Sequence, residues 1–138
     1  FLNLNANFSI ISEFYSSSRL PSDLINSVDV TLFQNAFSAY NSVLANYYRD
    51  GNDSMGWHSD DESMLKKDSA IASLSLGENR PLHFKHKNQA ISFNIDQSHG
   101  SVIVMDGETQ KYWKHSIKKS KKSMQPRLNL TFRTIITA

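Results

Sequence analysis

The chain has 138 residues, with 15 basic and 13 acidic side chains and no cysteine. A single domain of this length buries about two-thirds of the surface that its extended chain exposes. Without cysteine, the sequence excludes disulfides, thiolate zinc sites and cysteine nucleophiles. Every apolar run is shorter than the roughly 20 residues that a membrane-crossing helix needs, and no signal-peptide pattern opens the chain. We therefore expect a protein without membrane contact that is not secreted, in the cytoplasm of a bacterium or the nucleus of a eukaryote.

The first part of the chain is polar and irregular, and one helical pattern follows it. Residues 1–28 show no clean hydrophobic period. Residues 29–41 carry apolar side chains at three- and four-residue spacing, which predicts a helix. Its apolar face would consist of Val30, Phe33, Phe37 and Tyr40. Residues 42–49 then have the composition of a strand, and residues 50–53 that of a turn.

The rest of the chain consists of short apolar or alternating runs separated by turn formers. These runs predict strands over residues 70–76, 82–86, 90–95, 102–105, 112–117 and 128–136. Many short strands with turns between them favour a mainly β sandwich or jelly roll, in which two sheets pack face to face. Because no internal repeat or interdomain linker is visible, residues 1–138 are expected to form a single domain.

A candidate metal site is formed by His58 and Asp60, with His115 far downstream. Side chains two apart in a strand point to the same face, so His58 and Asp60 could bind one ion together. His115 would complete the site from a distant strand. Two imidazoles and one carboxylate are the ligands of a non-haem iron site that leaves positions open for oxygen and a co-substrate. Alone, the His-x-Asp triplet would equally suit solvated loop residues.

A co-substrate is indicated by Arg127, which lies 12 positions after His115 in the predicted last long strand. The fixed fork of guanidinium donors suits the far carboxylate of a dicarboxylate whose near end chelates the metal. The pattern therefore predicts 2-oxoglutarate. Lysines also crowd residues 118–122, either as a solvated loop or as a patch that contacts phosphates.

Six sequence blocks occur in a fixed order between about Tyr40 and Ile135. They are residues 46–48 (Asn-Tyr-Tyr), 57–62 (Trp-His-Ser-Asp-Asp-Glu), 71–77, 99–101, 110–115 and 126–133. Together they resemble the AlkB-type Fe(II)/2-oxoglutarate dioxygenases. The forms His-Ser-Asp-Asp-Glu and Arg-x-Asn-Leu-Thr-Phe-Arg are similar to the branch that repairs alkylated DNA and RNA bases. Residues 1–25 match poorly.

The resemblance implies a fold and a cofactor site. The fold would be a double-stranded β-helix with a flanking N-terminal helix over residues 29–138, preceded by a partial substrate-recognition lid over residues 1–28. Fe(II) would be held by His58, Asp60 and His115, and would use O2. The co-substrate 2-oxoglutarate would be held by Asn46, Tyr48, Arg127, Asn129 and Arg133. Asn46 and Tyr48 could instead be polar residues at the core edge, and Arg133 a structural ion-pair partner.

The resemblance also implies a substrate and a reaction. A monomer would demethylate 1-methyladenine or 3-methylcytosine in DNA or RNA, on a single-stranded or flipped base. The products would be succinate, carbon dioxide and formaldehyde. Glu62 would read the exocyclic amine of the base. Asp61, Arg80 and Tyr15 are further candidates for substrate contact, and Trp57 and Trp113 are expected to pack rather than to stack on bases.

Two other functions remain open from the sequence. The poor match over residues 1–25 would also allow a related iron oxygenase that acts on a small molecule or a protein side chain. A non-catalytic jelly-roll binding module is the second alternative, although the intact ligand set and the two arginines Arg127 and Arg133 argue against it.

Overall fold

The computed structural model describes residues 2–3 and 39–136. Residues 29–38 of the predicted helix lie outside the described residues, as do Tyr15 and nearly all of the proposed lid, and residues 39–41 are not helical. The elements in chain order are β1 (Leu2–Asn3), β2 (Ser42–Tyr48), β3 (Met55–His58), β4 (Ile71–Gly77), β5 (Leu82–His86), β6 (Ser92–Ile95), β7 (Val102–Met105), α1 (Gly107–Tyr112), β8 (Trp113–Ile117) and β9 (Arg127–Arg133). In this part of the chain, no helix has the length and apolarity needed to cross a membrane.

The predicted strands are confirmed, with differences at their ends. β9 ends at Arg133 instead of continuing to residue 136, and Ile135 forms only an isolated bridge with Leu65. The stretch before β8 differs most, because a helix replaces the predicted turn and the first strand residue. The Asp106 side chain accepts a hydrogen bond from the Thr109 backbone amide at 2.9 Å, which caps the helix α1 at its first turn.

The strands form two antiparallel sheets, which confirms the predicted mainly β jelly roll. The larger sheet has the order β1-β2-β9-β4-β7, and the smaller sheet has the order β3-β8-β5-β6. β9 lies in the middle of the larger sheet, where Arg127 pairs with Tyr48 of β2 and with Gly77 of β4. An apolar core packs between the sheets and includes Tyr48, Ile71, Leu82, Phe84, Met105 and Ile117.

The alternation of β9 explains why a polar site forms inside this core. Its odd-numbered side chains from Arg127 to Arg133 line an internal cavity, whereas Leu128 and Phe132 lie on the other face and are 1% exposed. Because side chains alternate along a strand, Arg-Leu-Asn-Leu-Thr-Phe-Arg presents one polar and one apolar face. The polar face points at the smaller sheet, which carries the histidines.

Candidate active site

The structure brings His58, Asp60 and His115 together. His58 and His115 are paired in the register of β3 and β8, and their ring centroids are 4.3 Å apart. One oxygen of Asp60 lies 3.7 Å from His58 Nε2, and the other lies 3.5 Å from His115 Nε2. One ligand atom from each residue can be chosen so that all three lie within 4.8 Å of one another. The expectation that Asp60 shares a strand face with His58 is wrong, because β3 ends at His58 and Asp60 lies in the following loop.

The ligand types of the group suit a divalent metal. His58 Nδ1 lies 2.8 Å from the Gly56 carbonyl, which can only accept, so Nδ1 donates to it and Nε2 faces Asp60. Burial alone would raise the pKa of Asp60, but the hydrogen bond from His115 and the charge of Arg133 outweigh it and hold the pKa below its ordinary value. Two imidazole nitrogens and an ionised carboxylate thus fit an iron site.

Hydrogen bonds to neighbouring elements fix the loop that carries Asp60. The backbone amide of Asp60 donates to Gln110 Oε1 at 2.8 Å, and Ser59 Oγ donates to the Trp113 carbonyl at 2.7 Å. Arg133 donates to Asp60 Oδ1 at 2.8 Å. Gln110 was missed in the sequence, because a neutral amide carries no charge or metal-binding signature. From the helix that precedes the His115 strand, it holds the backbone of Asp60 in place.

A buried cation lies at the other end of the same cavity. Arg127 is 1% exposed; its Nε donates to Ser75 Oγ at 2.8 Å, and its Nη2 donates to Gln97 Oε1. Within the described residues, its Nη1 has no hydrogen-bond partner and no carboxylate pairs with it. Burial, with a smaller contribution from the charge of Arg80, lowers the pKa of Arg127 to about 10, so the group stays charged at neutral pH. A buried cation without an anion fits a carboxylate ligand.

A single cavity of about 200 Å³ joins the two ends. It contains every residue predicted to hold the metal or the co-substrate: Asn46, Tyr48, His58, Asp60, His115, Arg127, Asn129 and Arg133. Asn129 uses its amide donor within the protein, because Nδ2 donates to Ser73 Oγ at 2.8 Å and to the Leu74 carbonyl at 3.0 Å. The Tyr48 ring lies under the Arg127 guanidinium, 5.2 Å from its central carbon. The roles of these side chains remain predictions, but their proximity is observed.

The predicted substrate residues occupy different places. Glu62 lines the cavity, although it lies beyond the end of β3 and not on a strand face as predicted. Asp61 is exposed and lines a separate cavity of about 400 Å³. Arg80, a candidate for substrate contact, is buried and only 2% exposed. Its guanidinium donates to the carbonyls of Asp50, Asp53 and Lys118 at 2.7 to 3.0 Å, so its donors are used within the protein.

Comparisons with known proteins match this geometry. The family model of the 2OG-Fe(II) oxygenase superfamily matches residues 16–133. The alpha-ketoglutarate-dependent dioxygenase alkB homolog 3 of Mus musculus is 41% identical over 111 residues, 74% of this chain and 39% of that protein. The DNA oxidative demethylase ALKBH2 of Homo sapiens is 40% identical over 105 residues, 70% of this chain and 40% of that protein. The chain therefore spans about 40% of the length of these curated relatives.

Solved structures support the fold. The structure of OsALKBH1 superposes with a TM-score of 0.56 at 24% identity, covering 69% of this chain and 48% of that one. A Pseudomonas putida prolyl-4-hydroxylase superposes with a TM-score of 0.51 at 13% identity, covering 91% and 78%. The family match over residues 16–133 shows that the chain belongs to the 2OG-Fe(II) oxygenase superfamily, and the identity to the alkB homologues shows that it is of the AlkB type.

Proposed function

We propose that this chain carries the catalytic domain of an Fe(II)- and 2-oxoglutarate-dependent dioxygenase that demethylates 1-methyladenine- and 3-methylcytosine-type bases in DNA or RNA. The observation that carries the proposal is one cavity with a His-Asp-His group at one end and, at the other, the buried cation of Arg127, which pairs with no carboxylate among the described residues. The choice of alkylated bases is supported by relatives named as a DNA oxidative demethylase. The products would be succinate, carbon dioxide and formaldehyde.

The residues of the chain would hold the metal and 2-oxoglutarate and would exclude water from the site. Iron, when bound with 2-oxoglutarate and O2, supplies the oxidant that hydroxylates the N-methyl group, which then leaves as formaldehyde. His58, Asp60 and His115 would hold the metal, with Gln110 fixing the Asp60 backbone and Arg133 fixing the Asp60 carboxylate. At the far end, Arg127 would neutralise the distal carboxylate of 2-oxoglutarate in a site from which the buried Tyr48 ring excludes water.

Glu62 would select the base. Its side chain is 47% exposed, and its Oε1 accepts a hydrogen bond from Arg133 at 3.3 Å. Its Oε2 makes no hydrogen bond within the described residues and can accept one from an exocyclic amine. Adenine methylated at N1 and cytosine methylated at N3 are cationic, so attraction and hydrogen bonding act together. Such a charge-assisted contact contributes about 1.5 to 3 kcal/mol, or roughly tenfold to 150-fold in preference over neutral methylated bases.

Mass spectrometry of methylated single-stranded oligonucleotides tests the proposal. The protein, loaded anaerobically with Fe(II) and 2-oxoglutarate, is exposed to oxygen and compared with Glu62→Gln and the control Asp61→Asn. Gln keeps an oxygen for Arg133 but removes the charge, so Glu62→Gln should lose the preference for cationic bases and keep uncoupled 2-oxoglutarate decarboxylation. Asp61→Asn should keep more of the preference for cationic bases than Glu62→Gln does. A wild type that decarboxylates 2-oxoglutarate but demethylates no oligonucleotide would favour a small-molecule or protein substrate.

A further inference from the structure

The outer face of the smaller sheet concentrates positive charge. Lys85 of β5 and Lys114 of β8 are directly opposite in the strand register. Their neighbours Phe84 and His115 are buried, so the two lysines point away from the core. Like charges at directly opposite positions repel and destabilise a sheet. The pair is therefore a cost to the folded protein that an anionic partner would relieve.

An exposed aromatic ring lies among these charges. Trp57 of β3 is 37% exposed, and the ammonium groups of Lys85 and Lys118 lie 4.6 and 5.9 Å from its ring centroid. The expectation that both tryptophans pack is confirmed for Trp113, which lies against the core, but Trp57 belongs to the outer face. A cationic side chain above a ring is held in place by cation–π attraction. We call Trp57, Lys85, Lys114 and Lys118 the basic face.

The basic face has no acidic counterpart in the described part of the chain. None of its three lysines forms an ion pair with a described carboxylate. On the same face, burial and then the charge of Lys118 lower the pKa of His83. The backbone beneath is fixed, because Arg80 donates to the Lys118 carbonyl at 2.7 Å. No ion pair within the described residues thus compensates these charges, and the backbone of Lys118 is held by Arg80.

The basic face and the candidate active site share one edge strand. β3 lies at the edge of the smaller sheet, with His58 directed into the cavity and the adjacent Trp57 directed outward. A polymer whose one unit enters the cavity can therefore pass around this edge and lie along the basic face. We propose that the basic face binds the phosphodiester backbone of single-stranded nucleic acid that flanks the base in the active site, with Trp57 stacking on one base. This inference rests on the proposed function.

The chemistry of a single strand matches these groups. Lysine contacts to phosphates release counterions, so each contact adds salt dependence to binding. An aromatic side chain can stack on any base, so stacking does not depend on the nucleotide sequence. This suits contacts to the bases that flank the methylated one. A small-molecule or peptide substrate would not need three lysines outside the cavity.

The test measures binding of an unmethylated single-stranded 20-mer by fluorescence anisotropy at several salt concentrations. The variant Lys85→Ala/Lys114→Ala/Lys118→Ala should bind at least about tenfold more weakly, with a salt slope shallower by roughly 2, which is about 0.7 for each lost contact. Trp57→Leu should weaken binding about fivefold or more and leave the slope unchanged. Both variants replace exposed or half-exposed side chains, and circular dichroism with a melting temperature near the wild-type value checks their fold.

A matched control separates this face from general charge. Lys66→Ala/Lys67→Ala/Lys111→Ala removes the same charge from the rim of the other cavity and should keep the steeper slope. Equal slopes and affinities in the two triple variants would overturn the inference, as would unchanged binding by Trp57→Leu. Demethylation of a short methylated trinucleotide by the wild type tests the proposed function separately. If the wild type demethylates the trinucleotide but the basic-face variants bind the 20-mer as tightly as the wild type, only the present inference is refuted.

Discussion

The buried cation of Arg127 gives the sharpest quantitative prediction. Replacing it with Lys keeps a charge but loses the fork, because one ammonium cannot satisfy Ser75, Gln97 and a carboxylate with the same geometry. The loss of one charge-assisted hydrogen bond costs about 1.5 to 3 kcal/mol, so Arg127→Lys should weaken 2-oxoglutarate binding roughly tenfold to 150-fold. Arg127→Met leaves the distal carboxylate buried without a partner. This change should cost about 3 to 5 kcal/mol, or more than a hundredfold.

The assay is calorimetric titration of 2-oxoglutarate into the Mn(II)-loaded protein without oxygen, since Mn(II) occupies such a site without turnover. Metal affinity, titrated separately, should stay within about threefold of the wild type, because Arg127 contacts none of the three metal ligands. The matched control is Arg80→Lys, a second buried arginine whose Nη1 and Nη2 donate to the backbone carbonyls of Asp50, Asp53 and Lys118. It should lower the melting temperature and leave the affinity of the folded protein for 2-oxoglutarate unchanged.

Two results would refute this reasoning. If Arg127→Met bound 2-oxoglutarate within threefold of the wild type, another residue would hold the distal carboxylate, and Arg133 would be the first candidate. If Arg80→Lys weakened binding as much as Arg127→Lys, the effect would come from the stability of the sheet and not from a direct contact.

Three further changes test other parts of the structure. His115→Ala removes one of three metal ligands and should greatly weaken Mn(II) binding, measured by electron paramagnetic resonance; wild-type affinity would remove the assignment. Gln110→Met leaves the Asp60 amide unsatisfied, so it should weaken Mn(II) binding about tenfold to a hundredfold and leave 2-oxoglutarate binding unchanged. Gln97→Met should weaken 2-oxoglutarate binding and leave Mn(II) binding unchanged. If each variant lost affinity for both ligands, the positioning roles would be contradicted. Gly51→Ala places a Cβ 2.5 Å from the Ser120 carbonyl oxygen and should destabilise the fold by about 1 to 3 kcal/mol in urea unfolding, and an unchanged midpoint would contradict the packing of this loop.

The sheet architecture was predictable because its signal is local. The alternation of polar and apolar residues between Arg127 and Arg133 predicts a strand with one polar and one apolar face, and many short strands separated by turn formers favour a sandwich or jelly roll. The metal group was predictable because histidine and aspartate are ligand types, and because their order along the chain is that of the family. Neither argument needed a contact between distant residues.

The remaining features depend on contacts that no local pattern records. Asp106 followed by glycine suits a turn and a helix cap equally. Only the hydrogen bond from the Thr109 amide to the Asp106 carboxylate identifies Asp106 as the cap of helix α1. The burial of Arg80 follows from carbonyls in two separate loops. Gln110 and Gln97 are neutral amides whose importance comes only from their partners. The sequence therefore indicates the candidate metal and co-substrate residues, whereas the residues that hold them in place are visible only in the structure.

The central claim is that one cavity holds both Fe(II) and 2-oxoglutarate, and anaerobic titration of the wild type tests it most directly. Fe(II) is added to the protein with 2-oxoglutarate present, and the visible absorption band of an Fe(II)–2-oxoglutarate chelate is recorded against bound iron. The site predicts one iron per chain in the wild type and a band that saturates at that ratio. The band should be absent in His115→Ala, and in Arg127→Met it should require far more 2-oxoglutarate. A wild type that binds iron without the band, or a band that persists in His115→Ala, would contradict the claim.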